Sequence, residues 1–212
     1  MARADARKEP RKVPFDAVIF DTDGVLTQTA TLHERAWKAL FDDFIDRHAD
    51  EPGVDRRPFS AADYRDFVDG KPRYDGVRSV LQARGIDLPD GIPEDLPGDD
   101  TVCALGNRKN QIFLQLLADE HAKAFADAAA ALKRWHRGGL RLAAVSSSRN
   151  CRRVLASASL DKSFDAIVGG RLARELGLHG KEDLLSEAAR RLQVPPANAV
   201  VLEDATTGVA RR

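Results

Sequence analysis

The most constraining feature of this sequence is a short apolar run that ends in two aspartates. Residues 15–20 read FDAVIF, and Asp21, Thr22, Asp23 and Gly24 follow directly. An apolar run of this length, bounded by a turn signal, is typical of a buried strand. Side chains two residues apart share one face of a strand, so the two carboxylates are expected to lie close together. Such a pair suits either a hard cation such as Mg²⁺ or a division of labour between a nucleophile and an acid–base. An Asp-Gly turn after a buried strand is the alternative interpretation.

Three further segments have the same strand-like character. They cover residues 140–145, 164–168 and 199–202, of which the second is the weakest. Ser146 follows the first of them, and Glu203 and Asp204 follow the last. Helical patterns at residues 124–137 and 183–193 lie between the strand-like segments. Strands that alternate with helices and end in polar residues predict an α/β fold, a Rossmann-like doubly wound parallel sheet with its site at the carboxyl edge.

A long segment between the first strand and the helix at residues 124–137 contains no convincing strand. Its helical patterns cover residues 33–48, 75–84 and 103–119, and a loop is expected over residues 86–100. We therefore expect an inserted α-helical domain within an α/β core. The predicted parts are a disordered tail at residues 1–12, a core made of residues 13–28 and 121–212, and a helical insertion at residues 29–120.

The composition excludes several classes of function. Equal numbers of basic and acidic residues, 33 of each, give a formal net charge of zero, so no overall field attracts a nucleic acid or a membrane surface. No apolar run approaches the roughly 18 residues of a membrane span, and residues 1–12 are too charged for a secretory signal. Cys103 and Cys151 alone cannot build a disulfide framework or a zinc site. We therefore expect a protein of a reducing, cytoplasmic compartment.

Four motifs, taken in their order along the chain, resemble those of the haloacid dehalogenase superfamily of phosphotransferases. They are Asp21-Thr22-Asp23-Gly24-Val25 at a strand end, Ser146 after an apolar run, Lys181 after Gly180, and the acidic pair Glu203-Asp204. Taken alone, Ser146 has an alternative interpretation as a helix cap, and Lys181 as a solvated surface residue. The order of the four motifs favours the resemblance, which runs from about Val13 to the C-terminus.

The resemblance implies a role for each of these residues. Asp21 would attack phosphorus and form an aspartyl phosphate, and Asp23 would be the general acid–base. Ser146 and Lys181 would balance the charge of the transferring phosphoryl group. The implied cofactor is Mg²⁺, held by the Asp21 carboxylate, the Asp23 backbone carbonyl and Asp204, with Glu203 as a ligand or next to the ligands.

The helical insertion resembles the C1 helical cap of the β-phosphoglucomutase branch of this superfamily. Thr29, His33 and Trp37 follow the first motif at the positions that this branch uses. The spacing of four residues puts His33 and Trp37 on one helix face, where a core tryptophan beside a half-exposed histidine is the alternative. The segments around Arg73 and Lys109 resemble two further parts of the cap, which nominates both residues for substrate binding, with solvated surface roles as the alternative.

The second motif carries an extension that also resembles the mutase branch. Residues 146–150 read SSSRN, in which Ser148, Arg149 and Asn150 would hold the second, non-transferring phosphate of the substrate. Hydroxyl, guanidinium and amide donors in one turn at a helix start make a plausible anion site. A simple phosphatase has less need of so many donors at a distance from the nucleophile.

The implied function is Mg²⁺-dependent isomerisation of β-glucose 1-phosphate to glucose 6-phosphate. The expected partner is a small-molecule sugar phosphate, with no nucleic acid and no membrane, and the oligomeric state is left open. A sugar-phosphate phosphatase with the same nucleophile and a catalytically weak binding module are the alternatives. A dehalogenase is disfavoured by the acidic pair and by the donors at residues 148–150.

Two departures from the family pattern bear on the choice between these functions. The link after Lys181 is about two residues short, and only Arg211 and Arg212 follow the fourth motif, so we expect C-terminal core elements to be missing and a sheet edge to be uncovered.

Overall fold

A computed structural model describes residues 14–48 and 53–204, so the predicted tail at residues 1–12 lies outside the described residues. Within them, one sheet of four parallel strands has the order β3-β2-β1-β4. The strands are β1 at Ala17–Asp21, β2 at Arg141–Ser146, β3 at Ala166–Gly169 and β4 at Ala199–Leu202. The prediction of an α/β fold with a parallel sheet is therefore confirmed.

Within the described residues, four α-helices lie between β1 and the first helix that packs on the sheet. They are α1 at Ala30–Arg47, α2 at Ala61–Asp63, which continues into a π-helical turn at Tyr64–Val68, α3 at Arg73–Arg84 and α4 at Val102–Glu120. Their apolar faces meet in one cluster that includes Trp37, Phe41, Phe44, Val77 and Leu105. Residues 86–100 contain no helix or strand, as the sequence predicts.

Helices α5 at Ala126–Arg137, α6 at Cys151–Ser157, α7 at Gly170–Leu176 and α8 at Gly180–Leu192 accompany the strands. Alternate residues of β1 face opposite sides of the sheet, as the period of two requires. Val18 and Phe20 pack in a cluster with Leu132 of α5, whereas Ile19 packs in another with Leu184 of α8. The sheet is thus covered on both faces, and its carboxyl edge is left to polar side chains.

Some boundaries differ from the predictions. The first strand begins at Ala17, because its ladder partners on both sides begin at Arg141 and Ala199. Helix α8 begins at Gly180, three residues before the predicted start. Helix α7 was not expected, because the pair Gly169-Gly170 suggests a break rather than a helix start. No helix in the described part of the chain is long and apolar enough to cross a membrane.

Candidate active site

The turn after β1 brings the first motif against the end of β4. Asp21 is the last residue of β1, and the Thr22 hydroxyl donates a hydrogen bond to the backbone carbonyl of Val145 on the neighbouring strand, at 3.0 Å. Gly24 has a φ of +82°, and a Cβ atom there would lie 1.8 Å from Oδ2 of Asp204. Glycine is therefore required at this position both for the backbone angle and for the close approach of Asp204.

Three carboxylates converge at this edge of the sheet. Asp21, Glu203 and Asp204 each place one carboxylate oxygen within 4.8 Å of the other two. Nζ of Lys181 contacts Oδ1 of Asp21 and lies 2.7 Å from Oε2 of Glu203. The short link after Lys181 therefore still brings its ammonium group to the nucleophile proposed by the motif. Lys181 reaches the edge because it is the second residue of α8.

The charges of this cluster are unbalanced. Burial raises the pKa of Asp21 to about 7, although the Lys181 ammonium acts in the opposite direction. Burial also raises the pKa of Asp204, and the neighbouring Glu203 adds to the effect. Three carboxylates against one ammonium leave an excess of negative charge, and the carboxylates range from the buried Asp21 to the exposed Asp204. Hard oxygen ligands with excess negative charge are the ligand set that a divalent cation such as Mg²⁺ prefers, so these residues fit such an ion.

Asp23 points to the start of α1 rather than into the acidic cluster. Its Oδ1 accepts a hydrogen bond from the Thr29 hydroxyl and lies 3.8 Å from Nε2 of His33. The Thr27 and Thr29 hydroxyls are 2.8 Å apart. Thr29 is the N-cap residue of α1, yet its side chain makes no capping bond to the helix. Burial raises the pKa of Asp23, although the Thr29 hydrogen bond favours the ionised form.

Lys109 joins two of the residues that the sequence places on one face of α1. Its Nζ is 2.8 Å from Nδ1 of His33 and lies over the rings of Trp37, at 4.8 Å, and Phe113, at 5.0 Å. The His33 ring stacks on Phe113 with their centroids 4.0 Å apart. Burial lowers the pKa of Lys109 to about 7 and holds the pKa of His33 below its ordinary value.

A second polar cluster joins the helical insertion to the loop after β2. Arg73 donates hydrogen bonds to Oδ1 of Asn107 at 3.2 Å and to Oδ1 of Asn110 at 2.8 Å. Nδ2 of Asn150 donates to the same Asn110 oxygen at 2.6 Å. The donors that the motifs nominate in the two parts of the chain are thus in one network, with Arg149 beside it.

The loop after β2 is held by its own serines. The backbone amide of Ser148 donates to the buried Ser146 hydroxyl at 3.0 Å, and the backbone amide of Asn150 donates to the Ser148 hydroxyl at 3.2 Å. These bonds fix the turn that presents Arg149 and Asn150. The sequence analysis did not nominate Thr27, which lies beside Thr29. It also missed three side chains of the second polar cluster, namely Tyr74, Asn107 and Asn110.

Comparisons with known proteins identify the family of this chain. Residues 15–210 match the sequence model of a hydrolase family described as haloacid dehalogenase-like hydrolase. A β-phosphoglucomutase of Mycobacterium tuberculosis is 47% identical over 204 residues, which are 95% of this chain and 77% of the relative. A β-phosphoglucomutase of Bacillus subtilis is 28% identical over 196 residues, which cover 92% of this chain and 77% of the relative.

Solved structures agree as well. A β-phosphoglucomutase from Clostridium difficile superposes with a TM-score of 0.71 at 21% identity, covering 92% of this chain and 78% of the other, which shows a shared fold. CbbY from Rhodobacter sphaeroides, in complex with xylulose-(1,5)bisphosphate, superposes with a TM-score of 0.68 at 25% identity, covering 92% of this chain and 80% of the other. Together with the sequence matches, these place the chain among enzymes of the phosphotransferase and phosphatase class. The chain belongs to the haloacid dehalogenase-like hydrolases and, within them, to the β-phosphoglucomutase-like branch.

Proposed function

We propose that this protein is a Mg²⁺-dependent sugar-phosphate mutase that converts β-glucose 1-phosphate to glucose 6-phosphate. The observation that carries the proposal is that two separate groups of side chains have the charges and donors that suit a phosphate. One set lies at the sheet edge around Asp21 and Lys181, and the other is the network of Arg73 and Asn150 around Asn110. A mutase has to hold one phosphate while it transfers the other, so it needs both sets.

Asp21 is the proposed nucleophile. A bond forms between an Asp21 carboxylate oxygen and phosphorus while the bond from phosphorus to the sugar oxygen breaks, which leaves an aspartyl phosphate. Lys181, in contact with Asp21, favours the ionised carboxylate that the attack requires and balances charge on the phosphoryl group. The phosphorylated Asp21 transfers its phosphoryl group to the free C6 hydroxyl of β-glucose 1-phosphate, and the bisphosphate that forms turns over in the site. Asp21 then takes the phosphoryl group from C1 of this bisphosphate, which releases glucose 6-phosphate and restores the aspartyl phosphate.

Asp23 is the proposed acid–base. In its protonated form it gives its proton to the departing sugar oxygen, and in the next step it takes a proton from the attacking hydroxyl. The pKa of Asp23 is raised by burial, which is the direction that a general acid requires. The Thr29 hydroxyl fixes the position of Oδ1, so the other carboxyl oxygen is left for the proton.

The Mg²⁺ ion would be held by the carboxylates of Asp21, Glu203 and Asp204, which the geometry brings together, with the Asp23 backbone carbonyl as the further ligand that the family resemblance implies. When bound, the ion would neutralise part of the negative charge on the phosphoryl oxygens during transfer.

The second phosphate is assigned to Arg73, Arg149 and Asn150, with Ser148 beside them, and the sugar to the space near His33, Trp37 and Lys109. The network from Arg73 to Asn150 spans the helical insertion and the loop after β2. A ligand bound there would hold the insertion against the core and exclude water, because an aspartyl phosphate exposed to water would hydrolyse. The division into cap and core at residues 29–120 is part of this proposal.

A sugar-phosphate phosphatase is the second candidate. The family model that the chain matches is described as a hydrolase, which favours this candidate. The nucleophile and the metal ligands would be the same, and the acceptor would be water instead of a sugar hydroxyl.

Phosphorus NMR separates the two candidates. The chain is incubated with Mg²⁺, β-glucose 1-phosphate and a trace of glucose 1,6-bisphosphate. Glucose 6-phosphate is the expected product, and inorganic phosphate in its place would overturn the mutase in favour of the phosphatase. Asp21→Asn removes the nucleophile and should abolish either reaction, whereas Asp127→Asn, an exposed change on α5, is the matched control. Turnover that persists in Asp21→Asn would contradict the assignment of the nucleophile.

A further inference from the structure

Tyr74 connects the two arginines of the second polar cluster, although no motif nominates it. We propose that Tyr74 is a positioning residue that holds Arg73 and Arg149 together as one clamp for the second phosphate of the substrate. The inference rests on the proposed function, because it names the residue on which binding of the non-transferring phosphate depends. Tyr74 lies on α3 in the helical insertion, whereas Arg149 lies in the loop after β2.

The Tyr74 hydroxyl is the middle of a chain of hydrogen bonds. It accepts a bond from a guanidinium nitrogen of Arg149 at 3.2 Å and donates one to Oδ1 of Asn107 at 3.0 Å. The same Asn107 oxygen accepts a bond from Arg73 at 3.2 Å. The hydroxyl therefore uses both its acceptor and its donor capacity to link the two arginines through one amide.

The Tyr74 ring adds a second link. The guanidinium carbons of Arg73 and Arg149 lie over it, 5.9 Å and 5.8 Å from its centroid. Cation–π attraction at this range offsets part of the repulsion between two neighbouring positive charges. The remaining Asn107 contacts are donations to the backbone carbonyls of Pro93 and Asp95, which hold the amide in place.

The clamp has no anion of its own. Among residues 14–48 and 53–204, neither Arg73 nor Arg149 forms an ion pair with a carboxylate. Burial lowers the pKa of Arg73 to about 10, and the nearby Arg149 acts in the same direction. Two half-buried guanidinium groups without a carboxylate partner are matched by a dianionic phosphate, which both can contact with several donors.

Gly106 provides the space in which the Tyr74 ring lies. It is buried within α4, and a Cβ atom there would lie 2.7 Å from Cδ1 and 3.0 Å from Cε1 of Tyr74. The same atom would lie 3.3 Å from Cδ of Arg73. Glycine is unfavourable in the interior of a helix, so its presence here is explained by the close approach of the ring that carries the clamp.

The test measures how much affinity the second phosphate adds. Dissociation constants of glucose 1,6-bisphosphate and of inorganic phosphate are determined by calorimetry with Mg²⁺ present. The bisphosphate can fill both sites at once, so the second site is reported by the dissociation constant of inorganic phosphate divided by that of the bisphosphate. All variants are made in the Asp21→Asn background, in which the proposed nucleophile cannot be phosphorylated and the ligand is not consumed.

Tyr74→Phe removes the hydroxyl and keeps the ring, and it should lower this ratio roughly tenfold, the value of a hydrogen bond to a charged group. Tyr74→Leu should lower it further by roughly threefold, because the ring contacts are lost as well. Gly106→Ala should lower the ratio in the same direction, because the ring has to move. A merely structural effect would weaken the binding of both ligands by the same factor and would leave the ratio unchanged.

The matched control is Tyr64→Phe, the same change at the other tyrosine of the chain. Tyr64 packs against the apolar cluster that includes Trp37 and Phe41, so this variant should keep the ratio of the Asp21→Asn protein. The clamp would be overturned by an unchanged ratio in Tyr74→Phe and Tyr74→Leu. It would also be overturned by a ratio near one in the Asp21→Asn protein that carries no further substitution. Isomerisation is assayed separately in the wild-type chain. Isomerisation without a Tyr74-dependent ratio refutes the clamp alone, and a Tyr74-dependent ratio without isomerisation refutes the mutase alone.

Discussion

Lys109 is a buried ammonium group among aromatic rings. Its side chain lies over Trp37 and Phe113, and its partner within hydrogen-bond distance is His33. Burial lowers the pKa of Lys109 from 10.5 to about 7. Between these two values the unfolded chain holds a proton on this side chain that the folded chain releases, so stability rises with pH in this range.

We expect this pH dependence to disappear in Lys109→Met. From pH 7 to pH 9, the free energy of unfolding of the wild type should increase relative to that of Lys109→Met by on the order of 2 kcal/mol. Urea denaturation at both pH values, without added metal, measures the difference. Equal differences at pH 7 and pH 9 would show that Lys109 keeps its ordinary pKa in the folded protein.

Gly24 makes a second prediction at the scale of one residue. Gly24→Ala should reduce activity at least about 100-fold, because its Cβ atom would displace the Asp204 carboxylate and weaken metal binding. Gly139→Ala is the matched control, since Gly139 has a φ of +79° but a Cβ atom there would have no neighbour within 4 Å. Phosphoryl-transfer rates and Mg²⁺ titrations of both variants are compared. Equal losses of activity in Gly24→Ala and Gly139→Ala would show that the effect comes from backbone strain alone, roughly 1–2 kcal/mol.

The residues of the first cluster could be predicted from the sequence, whereas several residues of the second could not. Asp21 ends the buried strand β1 and Asp204 lies two residues after β4, and parallel strands bring their carboxyl ends to one edge. Tyr74 contacts Arg149, which is 75 residues away in sequence, and no local pattern encodes that contact. The glycine inside α4 was the available signal, because Gly106 costs helix stability without any turn to explain it.

At the scale of an element, Arg84 holds the short helical segment at residues 61–68 against α3. Its guanidinium is 2% exposed and donates to the Arg57 carbonyl at 2.7 Å and to Oδ2 of Asp63 at 3.0 Å. Asp63 also forms a capping box with Ser60 at the start of α2. The segment buries few apolar side chains of its own, so these polar bonds account for its position.

We expect Arg84→Met to lower the free energy of unfolding by about 3 kcal/mol or more, because it leaves the Asp63 carboxylate and a backbone carbonyl without their buried partner. Arg57→Ala is the matched control, because the Arg57 side chain is 79% exposed and its change should leave the urea midpoint unchanged. Urea denaturation measures both. A midpoint for Arg84→Met equal to that of the wild type would show that apolar packing alone positions the segment.

At the scale of the whole molecule, the acidic cluster joins β1 to the edge strand β4. Asp21 ends β1, and Glu203 and Asp204 follow β4, which pairs with β1 alone in the sheet of the described residues. The alternation of strands and helices predicted this arrangement. It could not predict α7, because a seven-residue helix bounded by glycines has too short a pattern to be recognised.

We expect Mg²⁺ to stabilise the whole fold through this junction. At a concentration about 100 times its dissociation constant, a bound ion adds about 2.7 kcal/mol to the free energy of unfolding. Thermal melts with Mg²⁺ and with a chelator measure the shift, which should be lost in Asp204→Asn and kept in Asp127→Asn. A shift of the same size in Asp204→Asn would place the ion elsewhere.

The hydrogen bond of the Thr29 hydroxyl affects the start of α1. A hydroxyl at the N-cap position usually bonds to the first turn of its helix, which contributes about 0.5–2 kcal/mol. Here the hydroxyl bonds to Asp23 instead, so α1 starts without that support. A ligand that replaced the Thr29 hydroxyl as the hydrogen-bond donor to Asp23 would free this hydroxyl to bond to the first turn of α1. The contacts of the Asp23 carboxylate and the capping of the first turn of α1 are thus coupled through rotation about one side-chain bond of Thr29.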